Sequence, residues 1–194
     1  MAVRPKISAV ILAGGQGSRM GGVDKGWVEF RGKPLIRHVL ECIRPQADEV
    51  LVSANRSLDE YRRLGLPVLV DDLPDYPGPL AGIRQALKAA SHELLLCVPC
   101  DTPFLPLDLA ERLYLALEQS AGDIAVAEAG AEAGAEAQPV VFLCRREVLS
   151  NLEVFMDQGG RGVGRWQAGL KRVGVAFGDA GAFRNLNTPD ELRD

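Results

Sequence analysis

The chain has 194 residues, of which 47% are hydrophobic and 25% charged, which is typical of one globular domain spanning residues 1–194 with a substantial core. Its 26 acidic and 22 basic residues give a formal net charge of −4 and are spread along the chain without runs. This balance argues against a dedicated nucleic-acid binder and favours a small-molecule partner.

The first predicted element is an apolar, β-rich run, Ile7–Leu12, which ends at a pair of glycines. Arg4 and Lys6 precede it, as basic residues precede the apolar part of a signal peptide. However, the run is too short for that role and contains a serine. No later run approaches the roughly 20 apolar residues of a membrane-spanning helix. We therefore expect a cytoplasmic protein that contacts no membrane.

Beyond this run, apolar β-like segments alternate with segments of helical spacing. Six further strands are predicted, at residues 49–54, 67–70, 93–98, 123–127, 140–144 and 171–177. The clearest predicted helices lie at residues 35–43, 80–90, 107–119 and 145–156. This alternation predicts an α/β fold in which helices cover both faces of a mainly parallel sheet. Ligands bind such sheets beyond the carboxyl ends of the strands.

Two further segments carry local predictions. Residues 128–137 alternate alanine, glycine and glutamate, a low-complexity pattern that predicts a mobile surface loop. Near the C-terminus, Thr188, Pro189 and Glu191 have the spacing of a capping box, which predicts a short C-terminal helix.

The four cysteines fall in predicted helices and strands rather than in a loop-rich framework, so we expect reduced thiols. Cys97 and Cys100 have the spacing of a redox or zinc motif. They have no second cysteine pair and no nearby histidine, which favours small core residues beside an active-site loop.

A glycine-rich loop follows the first strand and contains five glycines, Arg19 and Lys25. Its spacing excludes a dinucleotide fingerprint, because the third glycine would fall at Met20. It also excludes a Walker loop, because Lys25 is followed by Gly26 instead of serine or threonine. The glycines alone would fit a structural turn. Two cations beside backbone N–H groups favour a site for a triphosphate.

Residues 12–15 (LAGG), 19–25 (RMGGVDK) and 32–35 (GKPL) together resemble the signature of the molybdenum cofactor guanylyltransferases, within the wider nucleotidyltransferase superfamily. Further blocks that resemble the family follow in the same order: 53–56 (SANR), 75–82 (DYPGPLAG), 99–103 (PCDTP) and 185–189 (NLNTP). The resemblance runs from residue 7 to the C-terminus, except at 128–137. It implies a three-layer αβα sandwich with a Rossmann-like, mainly parallel sheet of the nucleotidyltransferase type.

The resemblance implies a nucleotide site at the ends of the first strands. The implied nucleotide-binding residues are Leu12, Ala13, Gly14, Gly15, Lys25, Asn55, Asp71 and Asp101. Asn55 is assigned to the guanine base, and a turn residue is the alternative at this position. Asp71 and Asp72 are adjacent, and only the resemblance selects Asp71.

Asp101 follows a predicted strand and lies between Pro99 and Pro103, so its carboxylate should be held stiffly at the edge of the sheet. Proteins usually hold Mg²⁺ with one or two carboxylates plus substrate phosphates. Asp101 is therefore the predicted metal ligand. The alternative is a cap for the next helix, although Asp108 lies closer to its start.

The implied reaction transfers GMP from GTP to the terminal phosphate of molybdenum-molybdopterin and releases pyrophosphate. Arg19, Lys25 and Asp101 are the implied catalytic residues. The attacking phosphate is already ionised near neutral pH, so no general base is required.

Residues that resemble the pterin side of the family are Gln138, Arg161, Asn185 and Asn187. Further expected partners are molybdopterin-loading proteins and recipient molybdoenzymes or their chaperones.

Two alternatives stay open from the sequence. One is a cytidylyltransferase for the same cofactor or a sugar-nucleotide nucleotidyltransferase; Gly15 favours guanylyl transfer, because cytidylyl relatives tend to show LAAG. The other is a non-catalytic GTP-binding regulator or scaffold in cofactor insertion. The presence of Arg19, Lys25 and Asp101 together argues against this second alternative.

Overall fold

A computed structural model describes residues 5–14, 23–72, 78–131, 134–187 and 191–192. The strands in these ranges are β1 (Ile7–Leu12), β2 (Glu29–Phe30), β3 (Lys33–Pro34), β4 (Glu49–Ser53), β5 (Val68–Leu69), β6 (Leu94–Pro99), β7 (Ile124–Ala129), β8 (Glu136–Arg145) and β9 (Arg172–Phe177). Seven of them form one sheet with the order β5-β4-β1-β6-β8-β7-β9, and β2 and β3 form a separate hairpin.

The helices are α1 (Leu35–Ile43), α2 (Leu58–Arg62), α3 (Pro79–Ala89), α4 (Leu109–Ser120), α5 (Leu149–Asp157) and α6 (Val163–Gln167). Short 3-10 turns occur at Lys25–Trp27, Arg44–Gln46, Arg146–Val148 and Ala180–Phe183. The four predicted helices are confirmed, with ends shifted by a few residues. The sequence did not reveal α2 and α6, because five residues are too few to show a helical period.

The prediction of a mainly parallel sheet is confirmed. Strands β5, β4, β1 and β6 pair in parallel, as do β7 and β9, whereas β8 is antiparallel to both of its neighbours. All seven predicted strands are present. The β2–β3 hairpin was missed because each strand has only two residues, and its turn places Arg31 and Gly32 at φ values of 50° and 72°.

Helices cover both faces of the sheet, as predicted for a three-layer αβα sandwich. Alternate residues of β1 face opposite layers, with Ala9 and Ile11 in one core cluster and Val10 in the other. The first cluster receives the apolar faces of α1 and α4 together with Tyr61 of α2, and the second receives α3, α5 and α6. Because both faces are buried, central strands such as β1 and β6 are mostly apolar along their length.

The prediction of a surface loop over residues 128–137 is wrong at both ends. Strand β7 continues to Ala129 and β8 begins at Glu136, and these two residues are paired across the hairpin. Backbone hydrogen bonds extend the ladder even though the side chains bury little, which is why the composition did not reveal the strands. The connection carries Gly130 and Gly134 at φ values of 105° and 91°, so the glycines mark the turn.

The predicted C-terminal helix falls on residues 188–190 and 193–194, outside the described residues. The predicted cap Thr188 and first helical residue Pro189 are among them. Glu191 is described, and its Oε2 accepts a hydrogen bond from the backbone N–H of Asn187 at 2.7 Å. In the described ranges, no helix has the length and apolar character that crossing a bilayer requires.

Glu49 organises the amino edge of the sheet. It accepts hydrogen bonds from the hydroxyl of Ser8 at 2.5 Å and from both the backbone N–H and the hydroxyl of Ser91, at 2.9 and 2.7 Å. Partial burial by itself raises the pKa of Glu49, but these hydrogen bonds outweigh it and hold the pKa below its usual value of 4.5. The network therefore stabilises the fold when Glu49 is ionised.

We expect the melting temperature to fall as pH drops from about 5 to 3, because Glu49 binds its proton more readily in the unfolded chain. After allowance for solvent screening, the network should contribute about 1 kcal/mol, or about 2–4 °C, at neutral pH. Glu49→Gln should remove that part of the pH dependence in thermal melts. Glu41→Gln is the control, since the ion pair of Glu41 with Lys33 is exposed. If the melting temperature changed equally with pH in the two variants, the role assigned to Glu49 would be contradicted.

Candidate active site

The carboxyl ends of three adjacent parallel strands bring the predicted segments together. Leu12 at the end of β1 is paired with Ser53 of β4 and with Pro99 of β6. Beyond the strands, the N–H of Ala13 donates to the Ser53 carbonyl at 2.8 Å, and the N–H of Cys100 donates to the Leu12 carbonyl at 3.1 Å. The residues that follow each strand therefore leave the sheet side by side, where a ligand site is expected.

Lys25, Asp101 and Asn187 form the polar centre of this edge. The ammonium of Lys25 donates to Asp101 Oδ2 at 3.0 Å and also to Asn187 Oδ1. The side chains of Asp101 and Lys25 are 11% and 23% exposed, so solvent screens this pair less than a surface ion pair. The Asp101 carbonyl accepts from the N–H of Leu186 at 2.9 Å, which fastens the C-terminal segment to the end of β6.

The oxygen atoms at this centre are of the kind that bind a magnesium ion. The carboxylate of Asp101 and the amide oxygen of Asn187 converge on one cation, the Lys25 ammonium, and both are the oxygen ligands that Mg²⁺ prefers. Among the residues that the structure describes, no three or more His, Cys, Asp and Glu side chains group closely enough to hold a metal by themselves. The set therefore suits an ion that takes its other ligands from substrate phosphates and water.

Asn55 and Asp71 form a second cluster. The amide Nδ2 of Asn55 donates to Asp71 Oδ2 at 2.7 Å, and the N–H of Asp71 donates to Asn55 Oδ1 at 2.9 Å. Gly14 lies against this pair, because a Cβ on it would be 3.3 Å from the Asn55 amide nitrogen. The other carboxylate oxygen of Asp71, Oδ1, is buried and has no hydrogen-bond partner within the described residues. The structure thus unites three of the predicted nucleotide-binding residues.

The structure also separates Asp71 from Asp72, which the residues alone could not do. The carboxylate of Asp72 pairs with the guanidinium of Arg84 on α3. The side chain of Arg84 is only 13% exposed, whereas that of Asp72 is 53% exposed. Asp72 therefore serves to hold the end of β5 against α3, and Asp71 is the aspartate directed to the Asn55 cluster.

The residues predicted for the pterin side are spread more widely. Asn187 accepts a hydrogen bond from Lys25 in the polar centre, and Asn185, two positions earlier, is exposed. Gln138 lies near the start of β8, which runs antiparallel and so begins at the same edge of the sheet. Arg161 immediately precedes the N-cap of α6, and Gln167 of that helix donates to the carbonyl of Pro139 at 2.8 Å. The roles of these residues stay predictions.

The interpretation of Cys97 and Cys100 as core residues is confirmed. Cys97 packs in the cluster beneath α3 and α5, whereas Cys100 packs in the cluster on the opposite face of the sheet. Burial raises the pKa of both thiols, and the nearby carboxylates of Asp101 and Asp24 add to the effect on Cys100. Protonated thiols on opposite faces cannot form one redox or zinc site.

Two predicted site residues, Gly15 and Arg19, lie outside the described residues. Their assignments to nucleotide and to leaving-group stabilisation stay predictions from the sequence.

Sequence reasoning missed two polar groups beside Lys25. Asp24 caps the 3-10 turn that carries Lys25, and it accepts a hydrogen bond from the buried hydroxyl of Tyr61 at 2.6 Å. The spacing of Asp24 and Gly26 is a recognisable local turn signal. Tyr61 carries no such signal, since it lies on another element.

The matching family model is the MobA-like NTP transferase domain, which covers residues 9–173. A molybdenum cofactor guanylyltransferase from Polynucleobacter asymbioticus is 43% identical over 187 residues, covering 96% of this chain and 94% of the relative. One from Ralstonia nicotianae is 44% identical over 192 residues, with the same shares covered.

Solved structures show the same fold. Molybdopterin-guanine dinucleotide biosynthesis protein A from Archaeoglobus fulgidus has a TM-score of 0.76 at 24% identity, covering 96% of this chain and 95% of its own. A 4-diphosphocytidyl-2C-methyl-D-erythritol synthase from Anaerococcus prevotii has a TM-score of 0.78 at 13% identity, covering 97% and 93%. The fold thus extends across nucleotidyltransferases of different substrates.

Proposed function

The chain belongs to the MobA-like NTP transferase family, alongside its molybdenum cofactor guanylyltransferase relatives, and on that premise we propose that it transfers GMP from GTP to the terminal phosphate of molybdenum-molybdopterin with the help of Mg²⁺. The observation that carries the proposal is the convergence of Lys25, Asp101 and Asn187 at the edge of the sheet where the Asn55–Asp71 pair also lies. A lysine with two oxygen ligands suits the phosphates and their metal ion, and an amide–carboxylate pair suits the base, so the two groups match the two ends of a nucleoside triphosphate.

The Asn55–Asp71 pair would receive the base. Guanine presents N1–H and N2–H donors on its pairing edge, whereas cytosine presents acceptors at the corresponding places. The buried Oδ1 of Asp71, which has no hydrogen-bond partner among the residues that the structure describes, can accept from such donors, and Asn55 keeps one amide hydrogen for a base acceptor. This chemistry supports GTP over CTP. The side-chain-free surface of Gly14 lets the base approach the pair closely.

The phosphates would lie against the loop that follows β1 and against Lys25. The segment from Leu12 through Gly15 would line them, and because the N–H of Ala13 already donates to the Ser53 carbonyl, the backbone N–H groups of Gly14 and Gly15 would cradle them. Lys25 would act as a point charge and Arg19 as a forked donor. Asp101 and Asn187 would hold Mg²⁺. When bound, the ion would neutralise charge that develops on the phosphate oxygens.

The transfer itself needs little from protein side chains beyond position and charge. An ionised phosphate oxygen of the pterin substrate forms a bond to the α-phosphorus of GTP. The bond from that phosphorus to the bridging oxygen breaks, and its electron pair leaves with pyrophosphate. The two histidines support this account: His38 bonds to the carbonyl of Phe30, and His92 lies at the amino edge beside Ser8. Neither lies at the site as a general base.

Gln138, Arg161 and Asn185 form the proposed pterin side, together with Asn187, which faces the polar centre. We place the enzyme in the cytoplasm, which the four unpaired cysteines support. Molybdopterin-loading proteins would deliver the pterin, and recipient molybdoenzymes or their chaperones would accept the product.

The proposal is tested by incubating the enzyme with GTP, Mg²⁺ and molybdenum-loaded molybdopterin, measuring pyrophosphate and identifying the dinucleotide by mass spectrometry. Parallel calorimetric titrations with GTP, CTP and ATP measure selectivity. We expect pyrophosphate release and tightest binding of GTP. Preference for CTP would establish the cytidylyl alternative instead, and GTP binding without pyrophosphate release would establish a non-catalytic GTP-binding scaffold.

Asp71→Ala should weaken GTP binding about tenfold or more, because a hydrogen bond to a charged group is worth about 1.5–3 kcal/mol. Calorimetry should show a smaller loss for CTP. Asp72→Ala is the matched control, since that neighbour pairs with Arg84, and its effect on GTP should stay below about threefold. Similar losses for the two variants would remove Asp71 from the base site.

A further inference from the structure

Asp24 is a buried carboxylate that the proposed transfer does not use. Its residue is 8% exposed, and its Oδ1 accepts hydrogen bonds from the hydroxyl of Tyr61 at 2.6 Å and from the N–H of Gly26 at 3.2 Å. Its Oδ2 is buried and, within the part of the chain that the structure describes, has no hydrogen-bond partner. A buried carboxylate costs stability unless it is well paired. Packing alone would therefore not favour an acid here.

Tyr61 is suited to act as a permanent donor to Asp24. Its side chain is fully buried in α2. Burial, the neighbouring Cys100 and the hydrogen bond to Asp24 all raise the pKa of Tyr61 above its usual range, so the hydroxyl keeps its proton. At 2.6 Å the hydrogen bond lies at the short end of the O–H···O range, so it holds the phenol oxygen closely against the Asp24 carboxyl group.

The same phenol contacts the turn on both sides of Lys25. A Cβ on Gly26 would lie 2.2 Å from the Tyr61 hydroxyl, so the hydroxyl fills the space that a larger residue would need. The ring of Trp27 packs against the Tyr61 ring with centroids 5.2 Å apart. The backbone turn closes with the N–H of Trp27 donating to the Asp24 carbonyl at 3.1 Å. One side chain therefore contacts the residue before Lys25 and the two after it.

We infer that Tyr61 is a positioning residue for Lys25: through Asp24 and Gly26, its hydroxyl fixes the turn from which the ammonium reaches Asp101. The inference rests on the proposed phosphate role of Lys25. Tyr61 is fully buried behind the turn and acts through it. A lysine has many rotamers, so a rigid backbone origin limits where its charge can be placed.

The primary test is Tyr61→Phe, which removes only the hydroxyl. We expect kcat for guanylyl transfer to fall about 10- to 100-fold, because a misplacement of about 1 Å can cost that much, with KM for GTP changed less than about threefold. The affinity of the nucleotide-free protein for Mn²⁺, measured by electron paramagnetic resonance, should rise, because a misplaced Lys25 would compete less well for Asp101. Lys25→Ala, which removes this competitor, should raise the Mn²⁺ affinity as well. Tyr114→Phe in α4 is the matched control and should leave both values unchanged.

Gly26→Ala supplies a second, independent variant. The added methyl should displace the Tyr61 hydroxyl and lower kcat at least as much as Tyr61→Phe does. In the double variant Gly26→Ala/Tyr61→Phe, the clash with the hydroxyl is absent and the ring carbons Cζ and Cε1 lie 3.2 and 3.3 Å from the new Cβ. Its kcat should therefore lie close to that of Tyr61→Phe alone and well above the product of the two single losses. The inference would be overturned if the loss of kcat in the double variant equalled the product of the two single losses, or if kcat for Tyr61→Phe equalled that of wild type.

Thermal unfolding of each variant separates positioning from packing. Assays are run well below the lowest melting temperature of the variants. If Tyr61 serves stability alone, Tyr61→Phe will lower the melting temperature and leave kcat and Mn²⁺ affinity unchanged. This result would also overturn the inference. Lys25→Ala distinguishes a failure of the proposed phosphate role of Lys25 from a failure of the positioning role of Tyr61. If it turns over like wild type, the proposed role of Lys25 is wrong, whereas a slow Lys25→Ala with a fast Tyr61→Phe rejects the positioning role alone.

Discussion

Asp101→Ala is expected to lower kcat for guanylyl transfer on the order of 10³-fold, because it removes the proposed metal ligand from a site where charge develops in the transition state. The fold should persist. The hydrogen bond that fastens Leu186 uses the backbone carbonyl of Asp101, which alanine keeps. Stopped assays of pyrophosphate, together with thermal melts, measure both effects.

Asp108→Ala is the matched control for this variant. Asp108 is the N-cap residue of α4, seven positions further along, and its side chain makes no cap hydrogen bond. Its kcat should stay within about twofold of wild type, since exposed substitutions away from the site change little. Equal rates for Asp101→Ala and Asp108→Ala would contradict a catalytic role for Asp101.

Lys25→Ala should have two opposite effects. Turnover should fall about 10²-fold or more, because the variant lacks the positive charge that stabilises the leaving pyrophosphate. Nucleotide-free protein should instead bind Mn²⁺ about tenfold more tightly. The Lys25 ammonium lies 3.0 Å from Asp101 Oδ2, and at about that distance two unit charges interact by about 1.4 kcal/mol even at the dielectric constant of water. Removing this competitor frees the two oxygens for a metal.

The paired outcome distinguishes a phosphate-binding lysine from a purely structural one. Turnover is measured with saturating GTP, and Mn²⁺ affinity by electron paramagnetic resonance without nucleotide. Lys33→Ala serves as the control, since Lys33 pairs with the exposed Glu41 and both quantities should stay at wild-type values. Weaker Mn²⁺ binding by Lys25→Ala would show that the lysine does not occupy the place of the metal.

The order of the elements was predictable because burial on two faces leaves a strong periodic signal. Strands such as Ile7–Leu12 are apolar at every position but one, and α1 shows an apolar stripe at residues 35, 36, 39, 40 and 43. Segments that lack this signal were missed or misjudged. The β2–β3 hairpin is too short, and the inner ends of β7 and β8 are held by backbone bonds while their side chains stay small or exposed.

The candidate site was predictable in part for a related reason. Lys25, Asn55 and Asp101 all follow strands whose carboxyl ends meet at one edge, so their positions in the sequence mark them as candidates. Position alone does not separate Asp71 from Asp72, which are adjacent after β5. The resemblance implies a pterin role for Asn187, which stays a prediction, and its contact with Lys25 in the polar centre is visible only in the structure. Tyr61 could not be assigned, because its contact with Asp24 spans 37 positions and depends on how α2 packs against the turn.

The sequence by itself determined the α/β class, the seven strands of the sheet, the glycine-rich loop and the family. Each of these depends on local composition, period or an ordered set of motifs. Only the tertiary structure decided that Lys25 meets Asp101 and Asn187, which lie 76 and 162 positions away, and that Asp71 rather than Asp72 faces Asn55. Short-range periodicity fixes which residues are buried, whereas the meeting of polar side chains is set by the packing of distant elements against the sheet.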